Sequence, residues 1–165
     1  MRATIDKASA LAAQTTGWLV VGMASVMLGS LILQVLFRYL LGQALIWSEE
    51  LALFLFTWVV LLTGSLGVRE GFHVRLTFLL DLLPSAPRAA IEKLLITAVL
   101  VFGALLAYSG ASYVDATLGQ VSAAVRYPIE TLHLAAPVSG VLIVLHALAL
   151  LLGPSPQTAA GNDRE

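Results

Sequence analysis

The chain has 165 residues, of which 59% are hydrophobic and 12% charged, with a formal net charge of −1 and a mean hydropathy of +0.91. Soluble domains are about a quarter charged, so the composition excludes an ordinary soluble fold and points to a single membrane domain of about four spans. There is no basic stripe to hold nucleic acid, and the lack of cysteine removes disulfides, iron–sulfur clusters and cysteine-ligated zinc.

In chain order, Arg2, Asp6 and Lys7 precede the small-residue run Ala8–Ala13. Two positive charges before an apolar stretch resemble a signal peptide, but the run Gly17–Phe37 is too long for one. It reads as an uncleaved first span over about 17–38, with Trp18 and Tyr39 as interfacial aromatics,. Residues 40–47 form a short connection that ends on Trp47, a second interfacial anchor. Ser48 is the expected N-cap of the second span, 48–68, with Glu49 and Glu50 where the helix dipole favours acids,. Leu51–Val68 carries no charge, and at 1.5 Å per residue it covers close to 30 Å, the thickness of the bilayer's hydrocarbon core.

Residues 72–83 are too short to cross and hold His73, Arg75 and Asp81 among large apolar residues. They are expected to form an interfacial helix, since a lone strand would leave unpaired edges. Pro84 stops this segment, and Ser85 with Pro87 opens the next helix,. A third span is expected over about 89–112, then a looser connection from Tyr113 to Tyr127. Pro128 opens the fourth span, 129–152, with Pro137 as a kink point inside it, and residues 154–165 read as a disordered polar tail,. With the N-terminus inside, seven lysines and arginines fall on the cytoplasmic side and only Arg38 and Arg126 outside. The positive-inside rule therefore predicts cytoplasmic termini.

Transporters that act alone place ionisable groups deep in their spans. Here the runs Ala8–Phe37, Leu51–Val68, Leu94–Val114 and Thr131–Asn162 are free of charge, which argues against a solute or ion site within this chain. His133 and His146 could ligate haem only with facing histidines on other spans, and the one remaining histidine, His73, lies outside the spans,. Interhelical hydrogen bonds are the simpler reading. Glu49 and Glu50 point to different sides of a helix, and one of them could pair with Arg38, Arg126 or a partner subunit. Gln34 shares a helix face with Arg38, which either snorkels outward or braces the Ser48–Glu50 turn. The small-residue rows Gly103, Ala107, Ala111 and Ala136, Gly140 signal close helix packing, within the chain or against another,.

These residues together resemble the small membrane subunit of tripartite ATP-independent periplasmic (TRAP) transporters, the DctQ-like small permeases. The resemblance rests on Arg38-Tyr39 with Gly42, Trp47-Ser48-Glu49-Glu50-Leu51, Trp58, Arg69 with His73-Val74, Leu83-Pro84, and Pro128 and Pro137. It runs from about Arg38 to Pro137, and the Trp-Ser-Glu-Glu turn is its specific part. One departure is Thr77, where the family often has an acid.

The resemblance implies a subunit that is not an enzyme and has no cofactor or metal. It implies pairing with a large membrane subunit that carries the ion and substrate sites, and with a periplasmic binding protein that delivers an organic acid such as a dicarboxylate, keto acid or sialic acid. Uptake would be driven by an ion gradient, usually sodium, across the bacterial inner membrane. The small subunit would enlarge the static scaffold. Arg38, Trp47, Ser48, Glu49, Glu50, Arg69, His73 and Arg126 are the candidate contact or structural residues. The rival readings are a small four-span transporter acting alone as a dimer, and a haem-bearing redox subunit.

Overall fold

The computed structural model describes residues 2–43, 45–70 and 85–152. The expected interfacial segment, with His73, and the expected tail lie outside the described residues. Inside lipid every backbone N–H and C=O needs an internal partner, and helices supply it. The fold is accordingly all-helical: α1 (Arg2–Leu40), α2 (Ile46–Arg69), α3 (Ser85–Ala116), the single turn α4 (Glu130–His133) and α5 (Ala135–Leu152). Among the described residues four stretches are long and apolar enough to cross a membrane: Ala3–Leu40, Ile46–Arg69, Pro87–Ala116 and Glu130–Leu152.

Several helix bounds differ from those expected, α3 for one running on to Ala116 rather than ending near 112. The first helix starts at Arg2 rather than near Gly17, and its 39 residues amount to about 58 Å, nearly twice the hydrocarbon core. The cause is local, because Ala8–Ala13 is rich in the best helix former and nothing up to Gly17 breaks the pattern,. The second helix begins at Ile46 with Leu45 as its N-cap, and no side chain caps it. Ser48 is not the cap; it lies in the first turn, fully buried, and donates to the Leu45 carbonyl at 2.7 Å. The final span is interrupted at Leu134, between α4 and α5. Pro137 has no N–H to offer the His133 carbonyl and its ring crowds that oxygen, so the helix breaks one turn ahead of it. The chain resumes with Val138 N–H bonded to Leu134 O at 3.1 Å.

α5 packs against α1, α2 and α3, while α1 pairs chiefly with α2. Beside the buried apolar residues Leu55, Leu62, Val68 and Ile143, many residues that face inward are small and polar: Ser9, Thr16 and Ser30 on α1, Ser48 and Ser65 on α2, Ser139 on α5. Large side chains such as Trp18, Leu28 and Phe56 face outward. In lipid a leucine gains little by moving inward, so close backbone approach and interhelical bonds decide which face is internal. The two small-residue rows meet each other within this chain. A Cβ added at Gly140 would stand 2.5 Å from the Ala107 nitrogen, and one at Gly103 would stand 2.6 Å from Ile143 Cγ2.

Candidate functional site

The bundle gathers polar groups at its two ends. At one end, the N-terminal turn of α2 faces the link between α3 and α4. Gly119, at φ 79, turns the chain after α3. Val121 and Pro128 then form an isolated antiparallel bridge, with Ile129 N–H bonded to Gln120 O at 2.9 Å. Within that small hairpin Ser122 N–H reaches Tyr127 O at 3.0 Å, and Tyr127 N–H returns to Ser122 Oγ at 3.1 Å. The chain can close this tightly because Arg126 adopts φ 61, a left-handed conformation that is uncommon outside glycine and asparagine.

Glu50 holds the hairpin. Its carboxylate accepts three successive backbone N–H groups, from Ala123 at 3.0 Å, Ala124 at 3.0 Å and Val125 at 2.5 Å. One anion thus satisfies donors that a turn this tight leaves without partners. Phe54 packs edge-on against Tyr127 with ring centroids 5.1 Å apart. Partial burial, and then the Glu50 charge, push the Tyr127 phenol above the ordinary tyrosine range. Deeper down, Trp58 Nε1 donates to the Thr131 carbonyl at 3.2 Å. Thr117 donates to Tyr113 O at 2.9 Å, and its oxygen lies 2.9 Å from His133 Nδ1.

Glu49 turns the other way, as expected of adjacent helical residues, and accepts from Gln34 Nε2 at 2.7 Å. The partner on α1 is therefore Gln34 and not Arg38. Arg38 and Arg126 are exposed, and neither pairs with Glu49 or Glu50. Trp47, in the first turn of α2, is 42% exposed.

At the opposite end, Arg69 closes α2 and reaches α1. Its Nη1 donates to Ser9 Oγ and lies 3.9 Å from the Asp6 carboxylate. Ser9 Oγ also hydrogen-bonds with His146 Nδ1 at 2.8 Å. Ser9 and His146 are both fully buried, so this cluster ties three helices together. Nearby in sequence but on α3, Arg88 pairs with Glu92 at 3.0 Å.

His146 is thus bonded to a hydroxyl on α1 and His133 to one in the turn that follows α3, and neither faces a second histidine among the described residues. That geometry favours the interhelical reading over haem ligation. Among the described residues no group of three or more potential metal ligands occurs. Sequence reasoning missed Ser9 and Asp6 as partners of Arg69. Antiparallel spans do place the start of α1, the end of α2 and the last turns of α5 at one level, and that was the available signal. Nothing in the sequence marked residues 123–125 as partners of Glu50, because they contribute only backbone.

Among the described residues, the fold defines a class: an all-helical protein with four helices long and apolar enough to cross a membrane and its charged residues toward the helix ends. Comparison with known proteins makes this specific. Residues 27–155 match the family described as tripartite ATP-independent periplasmic transporters, DctQ component. The chain belongs to this family of TRAP transporter small permeases.

Among its relatives, it is 34% identical over 132 residues to the sialic acid TRAP transporter small permease protein SiaQ of Vibrio cholerae, covering 72% of each chain. It is 28% identical over 120 residues to the C4-dicarboxylate TRAP transporter small permease protein DctQ of Rhodobacter capsulatus, covering 72% of this chain and 53% of that one. It is 47% identical over 60 residues to the sialic acid TRAP transporter permease protein SiaT of Haemophilus influenzae, covering 36% of this chain but only 10% of that one.

Proposed function

We propose that this chain is the static scaffold subunit that braces a large permease for binding-protein-dependent uptake of an organic acid, coupled to an ion gradient, most simply sodium. The observation that carries the reading is where the charge stands. Glu50, Glu49 and Arg69 sit at helix ends in fixed contacts, and the stretches between them offer no charged group around which a solute could be exchanged,. The similarity to a short stretch of the much longer SiaT permease supports a role beside a larger permease unit. The relatives' names divide between sialic acid and C4-dicarboxylates, which supports an acidic substrate class without choosing within it.

In this reading the chain lies in the bacterial inner membrane with both termini cytoplasmic, the orientation that the loop charges favour,. The hairpin end, with Arg38, Trp47 and Arg126, then faces the periplasm and is the docking edge for the binding protein or the large permease. The Arg69 end then faces the cytoplasm.

The test is a pull-down of the tagged full chain joined to uptake in a deletion strain. Recovery of a large permease, with sodium-dependent uptake of sialic acid or a dicarboxylate lost on deletion, is the expected outcome. Purification without any larger membrane partner, with uptake intact in the deletion strain, would refute the reading. Cysteine labelling at Arg126 from the periplasmic side checks the orientation.

A further inference from the structure

One stripe of side chains along the seam between α1 and α2 changes from charged to apolar in register with the depth of a lipid leaflet. On α1 it consists of Arg38, Gln34, Leu31 and Met27, spaced four, three and four residues apart and so on one helix face,. On α2, Glu49 faces it through the Gln34 bond. Inward of that bond the helices leave an open cleft of about 440 Å³, lined by Met27, Leu31, Glu49, Ala52, Leu53 and Phe56. Leu53 and Phe56 keep more than half of their surface exposed, at 65% and 54%. From Met27 to Arg38 the rise is about 16 Å, and half of a hydrocarbon core of about 30 Å is about 15 Å.

Glu49 lines the head of this cleft, Arg38 stands one turn beyond Gln34 on the same face of α1, and the two charges do not pair with each other. Glu49 accepts one hydrogen bond, from Gln34, whereas a carboxylate has about four acceptor positions. Arg38 makes no hydrogen bond or ion pair with any described residue. Helical side chains lean toward the helix N-terminus, which directs Arg38 back over the Gln34 turn and toward the level of Glu49. A ligand that suits this arrangement carries both signs at its head, a hydrogen-bond donor on the positive one, and a hydrocarbon chain behind them.

We propose that this cleft binds one zwitterionic phospholipid with a primary-amine headgroup. Its ammonium donates to Glu49, its phosphate accepts from Arg38, and an acyl chain lies along Leu31, Met27, Leu53 and Phe56. A quaternary-amine headgroup carries the same charges but has no N–H for Glu49, so the site discriminates between the two. A bare apolar groove would take any chain. The two opposite charges at leaflet height make this one selective.

Native mass spectrometry of the full chain tests it, using detergent micelles that contain equal amounts of phosphatidylethanolamine and phosphatidylcholine with identical acyl chains. One retained lipid is expected, with the primary amine favoured about tenfold, the worth of one hydrogen bond to a charged group. Glu49→Gln should abolish the headgroup preference, and Arg38→Gln should lower retention of both lipids alike. No retained lipid on the unmodified chain, or equal retention of the two headgroups, would overturn the proposal, whether or not the variants fold. So would a Leu53→Cys chain that cross-links to a co-purified permease helix while no lipid is held. None of these outcomes depends on whether the chain acts as a scaffold.

Discussion

Gly140 is where the packing of this bundle can be tested most sharply. An alanine there places its Cβ 2.5 Å from the Ala107 nitrogen, 2.7 Å from the Gly103 oxygen and 2.8 Å from the Ala107 Cα. All three are backbone atoms, so no side-chain rotation gives relief. Ordinary contact begins at 3.4 Å, and α3 and α5 must therefore separate by roughly 1 Å.

Overpacking costs about 1–3 kcal/mol. The upper end applies because the same separation loosens Gly103 against Ile143 and Gly110 against Pro137. Alanine's better helix propensity returns about 1 kcal/mol. The expected net loss is about 2 kcal/mol, or about 4–8 °C in Tm for a chain of this size. Gly22→Ala is the control, because nothing lies within 4 Å of its added Cβ, so it should leave stability unchanged or slightly raised. Thermal unfolding in detergent, followed by tryptophan fluorescence, measures both. If the two variants behave alike, the close approach of α3 and α5 is refuted.

Three further outcomes follow from the polar ends. Glu50→Gln removes the charge and at least one acceptor from the three hairpin amides, so hydrogen exchange at Ala123, Ala124 and Val125 should speed up while α2 stays protected. Unchanged exchange there would dismiss Glu50 as the latch. Ser9→Ala takes a partner from both Arg69 and buried His146 and should cost about 1–3 kcal/mol; a loss below about 0.5 kcal/mol would place Ser9 with ordinary surface sites.

The Tyr127 phenol should titrate above the ordinary tyrosine range by ultraviolet absorption and move back toward it in Glu50→Gln. The sign follows from proton counting. The folded state holds this proton to higher pH than the unfolded state, so its contribution to stability is present below the ordinary tyrosine pKa and is lost as pH rises through the folded value. A Tyr127→Phe chain whose stability falls just as steeply with alkali would contradict this.

The all-helical class and the four long apolar helices were legible in the sequence because lipid imposes a one-dimensional rule. A backbone that crosses must be helical and apolar for about 20 residues, and composition reports that directly. The Trp47-Ser48-Glu49-Glu50 turn, Arg69 and the two prolines were legible as a family pattern for the same reason, being local in the chain. The early start of α1 was underestimated because charge marks where a helix leaves the hydrocarbon and not where its hydrogen bonds stop.

Only the tertiary structure decided the partners. It assigned Gln34 rather than Arg38 to Glu49, gave Glu50 to three backbone amides more than seventy residues away, and drew Ser9 and His146 to Arg69. Within a membrane, hydrophobicity does not say which face of a helix points inward. That choice falls to small residues that let backbones touch and to hydroxyls, amides and histidines that find one another across helices, and those are pairwise facts that no single helix contains.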